Sequence, residues 1–207
     1  MLEFYTNPMS RGQIVRWALE EVGQPYEEHI ISYGPEMKSE PYTSINPMGK
    51  VPAIRHNGQV VTECPAIISY LAETFPEAGL SPTPETRADY YRWMFFTAGP
   101  FEQAVTAKSL GFEPSEKQAP TTGFGSYDLV MKVVDDLLSS REYVCGETFT
   151  AADICLGSQI MFGMRFGTLP DFDSFKAYTA RLTARPASQK ARARDEELIA
   201  AQQAQTS

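Results

Sequence analysis

The sequence predicts an α/β first half joined to an all-helical second half, and three observations carry that prediction. Short apolar strands and one-sided helices follow one another through Phe75 in the order βαβ and then ββα. Three prolines, Pro76, Pro82 and Pro84, then punctuate the chain. Beyond them no stretch alternates apolar and polar residues as a half-buried strand does. The boundaries follow as a first domain over residues 1–76, a linker over 77–84 and a helical domain over 85–207.

Leu2 to Thr6 reads as a strand, broken by Asn7-Pro8-Met9. From Arg11 to Val22, Ile14, Val15, Ala18, Leu19 and Val22 recur at spacings of three and four, which places them on one side of a helix; Gly23 ends it, because glycine enters the left-handed conformation without steric cost. Tyr26 to Ser32 carries Ile30 and Ile31 and reads as a second strand, so the opening unit is expected to be parallel and right-handed. Tyr33 to Asn46 is polar, holds Pro35 and Pro41, and reads as a loop with at most a short helix. Val51-Pro-Ala-Ile-Arg-His and Gln59-Val-Val-Thr-Glu flank Asn57-Gly58, the dipeptide that supplies the two positive φ angles of a type I′ hairpin. Pro65 stands at a first helical position, and Ile67, Ile68, Leu71 and Phe75 form the apolar face of the helix it opens.

In the second half, helical patterns cover about Glu85 to Leu110, Tyr127 to Ser139, Ala151 to Arg165, Phe172 to Thr183 and Ala187 to Gln203, with the Ala/Gln-rich end after Ala200 expected to fray. Thr150-Ala-Ala-Asp153 ahead of Ile154 has the form of an N-terminal capping box, with Asp in place of the usual Glu, and assigns Asp153 a structural role.

Composition narrows the function classes. The 207 residues include 18 Lys plus Arg against 26 Asp plus Glu, a formal charge of −8, which is the wrong sign for a nucleic-acid or anionic-membrane partner. No apolar run reaches the roughly 18–20 residues of a membrane span, and the start lacks the basic and apolar regions of a signal peptide, which points to the cytoplasm. Three cysteines and two histidines fall into no metal-ligand spacing, so neither a disulfide framework nor a metal site is expected.

Four segments, Asn46-Pro-Met-Gly-Lys-Val-Pro-Ala-Ile54, Thr62-Glu-Cys-Pro-Ala-Ile-Ile68, Thr150-Ala-Ala-Asp-Ile154 and Arg181-Leu-Thr-Ala-Arg-Pro186, stand in an order that resembles the cytosolic glutathione S-transferase family, in its bacterial, Ser-type or beta/theta-like forms. The resemblance covers essentially the whole chain. It implies a thioredoxin-like glutathione-binding domain followed by an all-helical domain that lines a pocket for a small hydrophobic electrophile. It also implies glutathione as co-substrate with no covalently bound cofactor, a homodimer and a detoxifying conjugation.

Glutathione is a flexible anion with a carboxylate at each end, and the resemblance assigns residues suited to it. A cis bond between Val51 and Pro52 turns the Val51 amide toward the ligand's cysteinyl part, which then pairs like an added strand. The helix start at Glu63-Cys64-Pro65 offers free N–H groups to the γ-glutamyl carboxylate, with Glu63 facing the ammonium. Lys38 and Lys50 meet the glycyl carboxylate. Cys64 departs from the family's usual Ser; it reads either as a redox-responsive thiol or as a tolerated small side chain with weaker hydrogen bonding.

Thiol activation has two claimants. A free thiol with a pKa of about 8.5 is a few per cent ionised at neutral pH, and lowering it by roughly two units takes about 2.7 kcal/mol. Ser10 resembles the active-site Ser of the Ser-type classes, with the N–H groups of Arg11 and Gly12 adding partial positive charge. Its plain structural reading is a helix cap, since Ser10-x-x-Gln13 is itself a capping box. Tyr5 is the competitor, at the place of the strand-end tyrosine in Tyr-type classes; its plain reading is core packing. Arg16 reads as an ion-pair partner. For the electrophile, Met9, Phe101 and Phe162 are the expected contacts, drawn from an aromatic and methionine-rich set that also holds Tyr91, Trp93 and Phe166. Two further readings stay open: a glutathione-dependent peroxidase or disulfide reductase, and a non-catalytic interaction or ligand-carrier module of the same fold.

Overall fold

The computed structural model describes residues 1–206. It divides into two compact units: Met1–Gly79 together with the chain from Ala184 onward, and Leu80–Thr183.

In the first unit, β1 (Leu2–Thr6), α1 (Gly12–Val22), β2 (Glu27–Ile30), β3 (Ala53–His56), β4 (Gln59–Thr62) and α2 (Cys64–Thr74) follow in the expected order. The four strands form one sheet in the order β2-β1-β3-β4, with β1 parallel to β2 and β3 antiparallel to both neighbours, a thioredoxin-like mixed sheet. Gly23 closes α1 at φ 72°, its N–H donating to the Leu19 carbonyl at 2.9 Å. Asn57 and Gly58 take φ 51° and 80°, as a type I′ turn requires. Ile14, Val15, Ala18 and Leu19 of α1 and Ile67, Ile68 and Leu71 of α2 are all buried with Phe4 and Ile54 of the sheet. Burial of each large aliphatic side chain is worth about 1.5–3 kcal/mol.

The last helix, α8 (Pro186–Thr206), corrects the expected boundary: it belongs to the first unit, not to a helical domain over 85–207. The physical reason is ionic. Arg16 of α1 is fully buried, donates to Asp195 at 2.8 Å, and pairs with Glu28 of β2. Arg194 reaches Glu28 at 2.9 Å, Arg185 reaches Glu21 at 2.6 Å and Lys190 reaches Glu20 at 2.6 Å. Composition alone showed a polar helix; its partners lie far back in the chain.

The second unit holds α3 (Arg87–Phe96), α4 (Glu102–Ser109), α5 (Tyr127–Ser140), α6 (Ala151–Phe166) and α7 (Asp173–Thr183). A π-turn over Thr97–Phe101 joins α3 to α4 and accommodates Pro100, which has no N–H to give. Asp153 does the capping foreseen for it and more: its carboxylate accepts from the N–H groups of Val144 (2.7 Å) and Thr150 (2.8 Å) and from the Tyr178 hydroxyl (2.8 Å). Burial pushes its pKa up against the pull of these donors. Leu80, inside the expected linker, is buried in this unit and accepts from the Ala151 N–H at 2.9 Å.

Candidate functional site

The turn between β1 and α1 is tied by side-chain hydrogen bonds. Asn7, 2% exposed, donates its amide to the Ile31 carbonyl at 3.0 Å and accepts from the Met9 N–H at 3.0 Å. Its own carbonyl takes the Ser10 N–H (3.0 Å) and the Ser10 hydroxyl (2.6 Å). The Ser10 oxygen in turn accepts from the Gly12 N–H at 2.9 Å. Gln13 donates to the Pro8 carbonyl at 2.6 Å, so it does not close the capping box that its spacing suggested. Gly12 is required here, because a Cβ would stand 1.9 Å from the buried Thr6 hydroxyl.

Tyr5, the second claimant for thiol activation, lies in the core of the first unit, as its plain reading expects. It is 5% exposed and packs with Ile31, Met37, Tyr42 and Ala53, its ring stacked on His29 at 4.7 Å. Its hydroxyl donates to Glu3 at 2.6 Å, and burial together with that carboxylate pushes its pKa up to about 12. A hydroxyl already committed to a carboxylate and made less acidic is poorly suited to stabilise a thiolate. Strand alternation did not reveal this, because both faces of the sheet are covered.

The Asn46–Lys50 loop presents the edge expected to meet a ligand. Asn46, buried, accepts from the Met48 N–H at 3.1 Å and donates to the Lys50 carbonyl at 2.7 Å, which also takes the Tyr42 hydroxyl at 2.6 Å. Gly49 sits at φ 54°, where a Cβ would come 2.6 Å from the Met37 carbonyl oxygen. Val51 follows, half-buried, and the Val51–Pro52 peptide is cis as expected, as is Glu40–Pro41. Lys50 is exposed. Lys38 is anchored, donating to the Met48 and Gly49 carbonyls at 3.2 and 2.6 Å.

At the start of α2, Glu63 occupies the N-cap position with φ 67°, a conformation that a non-glycine residue adopts at a cost and that places its exposed carboxylate ahead of the helix. The Cys64 thiol donates to the Arg11 carbonyl at 3.6 Å. That contact sets the start of α2 beside the start of α1, so Ser10, Arg11, Glu63 and Cys64 come together. Helix N-termini carry free N–H groups and partial positive charge, which is the chemistry expected of an anion site.

Of the expected electrophile contacts, Met9 is 58% exposed in the first unit and Phe162 is half-buried in the second, stacked on the exposed Phe166 at 6.4 Å. Phe101 is a correction: with 1% of its surface exposed it is a core residue. Residues that sequence reasoning passed over are Asn7, seen only as a strand breaker, and Tyr33, whose hydroxyl donates to the Met9 carbonyl at 3.3 Å. No group of His, Cys, Asp and Glu suited to a metal ion occurs among the described residues, and no described helix is long and apolar enough to cross a membrane.

A four-stranded thioredoxin-like mixed sheet in one unit and a set of helices in the other define a two-unit α/β-plus-α fold class. Residues 9–74 match the glutathione S-transferase N-terminal domain family. A glutathione S-transferase of Hyoscyamus muticus is 30% identical over 171 residues, 74% of this chain and 79% of the relative. Maleylacetoacetate isomerase of Rattus norvegicus is 29% identical over 162 residues, 73% of each chain. The solved structure of a sphingomonad glutathione S-transferase complexed with glutathione superposes with a TM-score of 0.76 at 24% identity, over 94% of this chain and 98% of that one. The chain belongs to the glutathione S-transferase family, a family of enzymes.

Proposed function

We propose that the chain binds glutathione at these helix starts and that Ser10 holds its sulfur as a thiolate for attack on a small hydrophobic electrophile. The observation that carries the reading is the Ser10 hydroxyl at the head of α1, its oxygen held by the Gly12 N–H, with Cys64 and the start of α2 drawn against Arg11. In this reading the Val51 backbone pairs with the cysteinyl part of the ligand. The N-terminus of α2 takes the γ-glutamyl carboxylate and Glu63 its ammonium, while Lys50 and the remaining donor capacity of Lys38 take the glycyl carboxylate. The thiol proton passes to solvent and the Ser10 O–H turns to the sulfur. A carbon–sulfur bond then forms as the electrophile's leaving group departs with its electron pair, or as a conjugated double bond accepts a proton. Met9, exposed in the first unit, offers the electrophile soft apolar surface. The working form is a homodimer, which light scattering checks as twice the chain mass.

Ultraviolet titration of bound glutathione tests the mechanism. Ser10→Ala raises the apparent pKa of the bound thiol toward the free value of about 8.5, and Tyr5→Phe leaves it in place. The reverse pattern overturns the assignment of Ser10.

The maleylacetoacetate isomerase relative favours a second reading, in which the same thiolate adds to a conjugated substrate and is expelled after the bond has rotated. Stoichiometry separates the two. Conjugation consumes one glutathione per product, and isomerisation consumes none.

A further inference from the structure

We infer that Asn7 is a positioning residue for Ser10, an inference that rests on the reading of Ser10 as thiol activator. Asn7 is 2% exposed, so it has no surface with which to touch a ligand, and any influence on the sulfur must pass through its neighbours. Its side chain fastens both ends of the turn: Nδ2 donates to the Ile31 carbonyl on the β2 side, and Oδ1 accepts the Met9 N–H in an Asx turn. Its backbone carbonyl then receives the Ser10 hydroxyl at 2.6 Å and the Ser10 N–H at 3.0 Å.

This double acceptance gives the site a resting state and a working state. Without a ligand the hydroxyl hydrogen is parked on the Asn7 carbonyl, while the Ser10 oxygen is held by the Gly12 N–H. When a thiolate arrives, the hydroxyl turns to it, and the Asn7 carbonyl keeps a partner in the Ser10 N–H. No buried polar group is orphaned by the switch. The rotation leaves the oxygen in place only because the turn is clamped. With the Asn7 amide removed, the Ile31 and Met9 tethers go, the Asn7 carbonyl that receives the Ser10 hydroxyl is no longer fixed, and the Gly12 N–H is left to hold the Ser10 oxygen without it. A one-ångström displacement matters for a group that acts through a single hydrogen bond.

The test is a double-mutant cycle on the bound thiol. Asn7→Ala is expected to raise the apparent pKa of bound glutathione by about one unit, a roughly tenfold fall in the thiolate-to-thiol ratio. In a Ser10→Ala background the same substitution is expected to add nothing, because the group it positions is gone. Affinity for S-methylglutathione, which has no thiol to ionise, is expected to change less than about threefold. If Asn7→Ala proves unable to fold, Asn7→Ser, which keeps an acceptor for the Met9 N–H, replaces it in both arms with a smaller shift. A pKa shift that persists undiminished in the Ser10→Ala background overturns the inference, as does a loss of thermal stability with the thiolate untouched. If Ser10→Ala alone leaves the thiolate unchanged, the reading of Ser10 fails first, and the inference about Asn7 fails with it.

Discussion

Removing the Asp153 carboxylate is the perturbation whose cost follows most directly from the structure. Four donors converge on it inside the second unit: the Val144 N–H, the Thr150 N–H and hydroxyl, and the Tyr178 hydroxyl, all from buried residues. Asp153→Ala strands them together, and at about 1–3 kcal/mol per unsatisfied buried donor the expected loss is about 5 kcal/mol. That is a large share of the roughly 5–15 kcal/mol that holds a typical domain folded. Asp153→Asn is the informative contrast. An amide of the same shape has one accepting oxygen, so when that oxygen serves Val144 and Tyr178 its NH₂ group confronts the Thr150 N–H, and when flipped it confronts the Val144 N–H. One backbone donor is lost in either orientation, at about 1–3 kcal/mol. Urea unfolding followed by far-UV circular dichroism measures both variants. An Ala variant that loses less than about 1 kcal/mol, or an Asn variant as damaged as Ala, refutes the hydrogen-bond reasoning.

Glu3 supplies a pH prediction. Its pKa is held down to about 2 from an ordinary 4.5, first by the hydrogen bonds from Arg55 and then by the one from Tyr5. A carboxylate more acidic in the folded state contributes stability that is full above pH 4.5 and is lost as pH falls through about 2. Glu3→Gln is therefore expected to flatten the acid limb of the thermal-stability profile in that window; an unchanged limb contradicts the assignment. Gly12→Ala drives a Cβ to within 1.9 Å of the Thr6 hydroxyl. The turn must shift to relieve it, so calorimetry is expected to show a loss of about 1–3 kcal/mol. The same shift should raise the pKa of bound glutathione, because the Gly12 N–H no longer holds Ser10.

Local chemistry was legible. Gly23, Asn57-Gly58 and the Thr150/Asp153 capping box each work within a few residues, and each stands in the structure where its sequence signal put it. The Asn46–Lys50 motif was legible as a pattern, though not as a self-tied loop. Ser10 was legible as a polar residue ahead of a helix, but its two candidate roles were not separable. A hydroxyl that caps a helix and one that serves a sulfur look the same in sequence, and only the structure shows its contacts with Asn7 and Gly12. Tyr5 could not be assigned a face, and Phe101 could not be told from a pocket residue, because an aromatic at helical or strand spacing looks the same in core and cleft.

By itself the sequence determined the order of strands and helices, the turns between them and the family, since all of these depend on neighbours a few positions apart or on recognisable runs. Only the tertiary structure decided that α8 joins the first unit, through a pair whose members lie 179 residues apart, and that the Tyr5 hydroxyl is spent on Glu3. Hydrogen bonds and ion pairs of that reach leave no periodicity in the chain. They exist only once folding has brought their partners within about 3 Å.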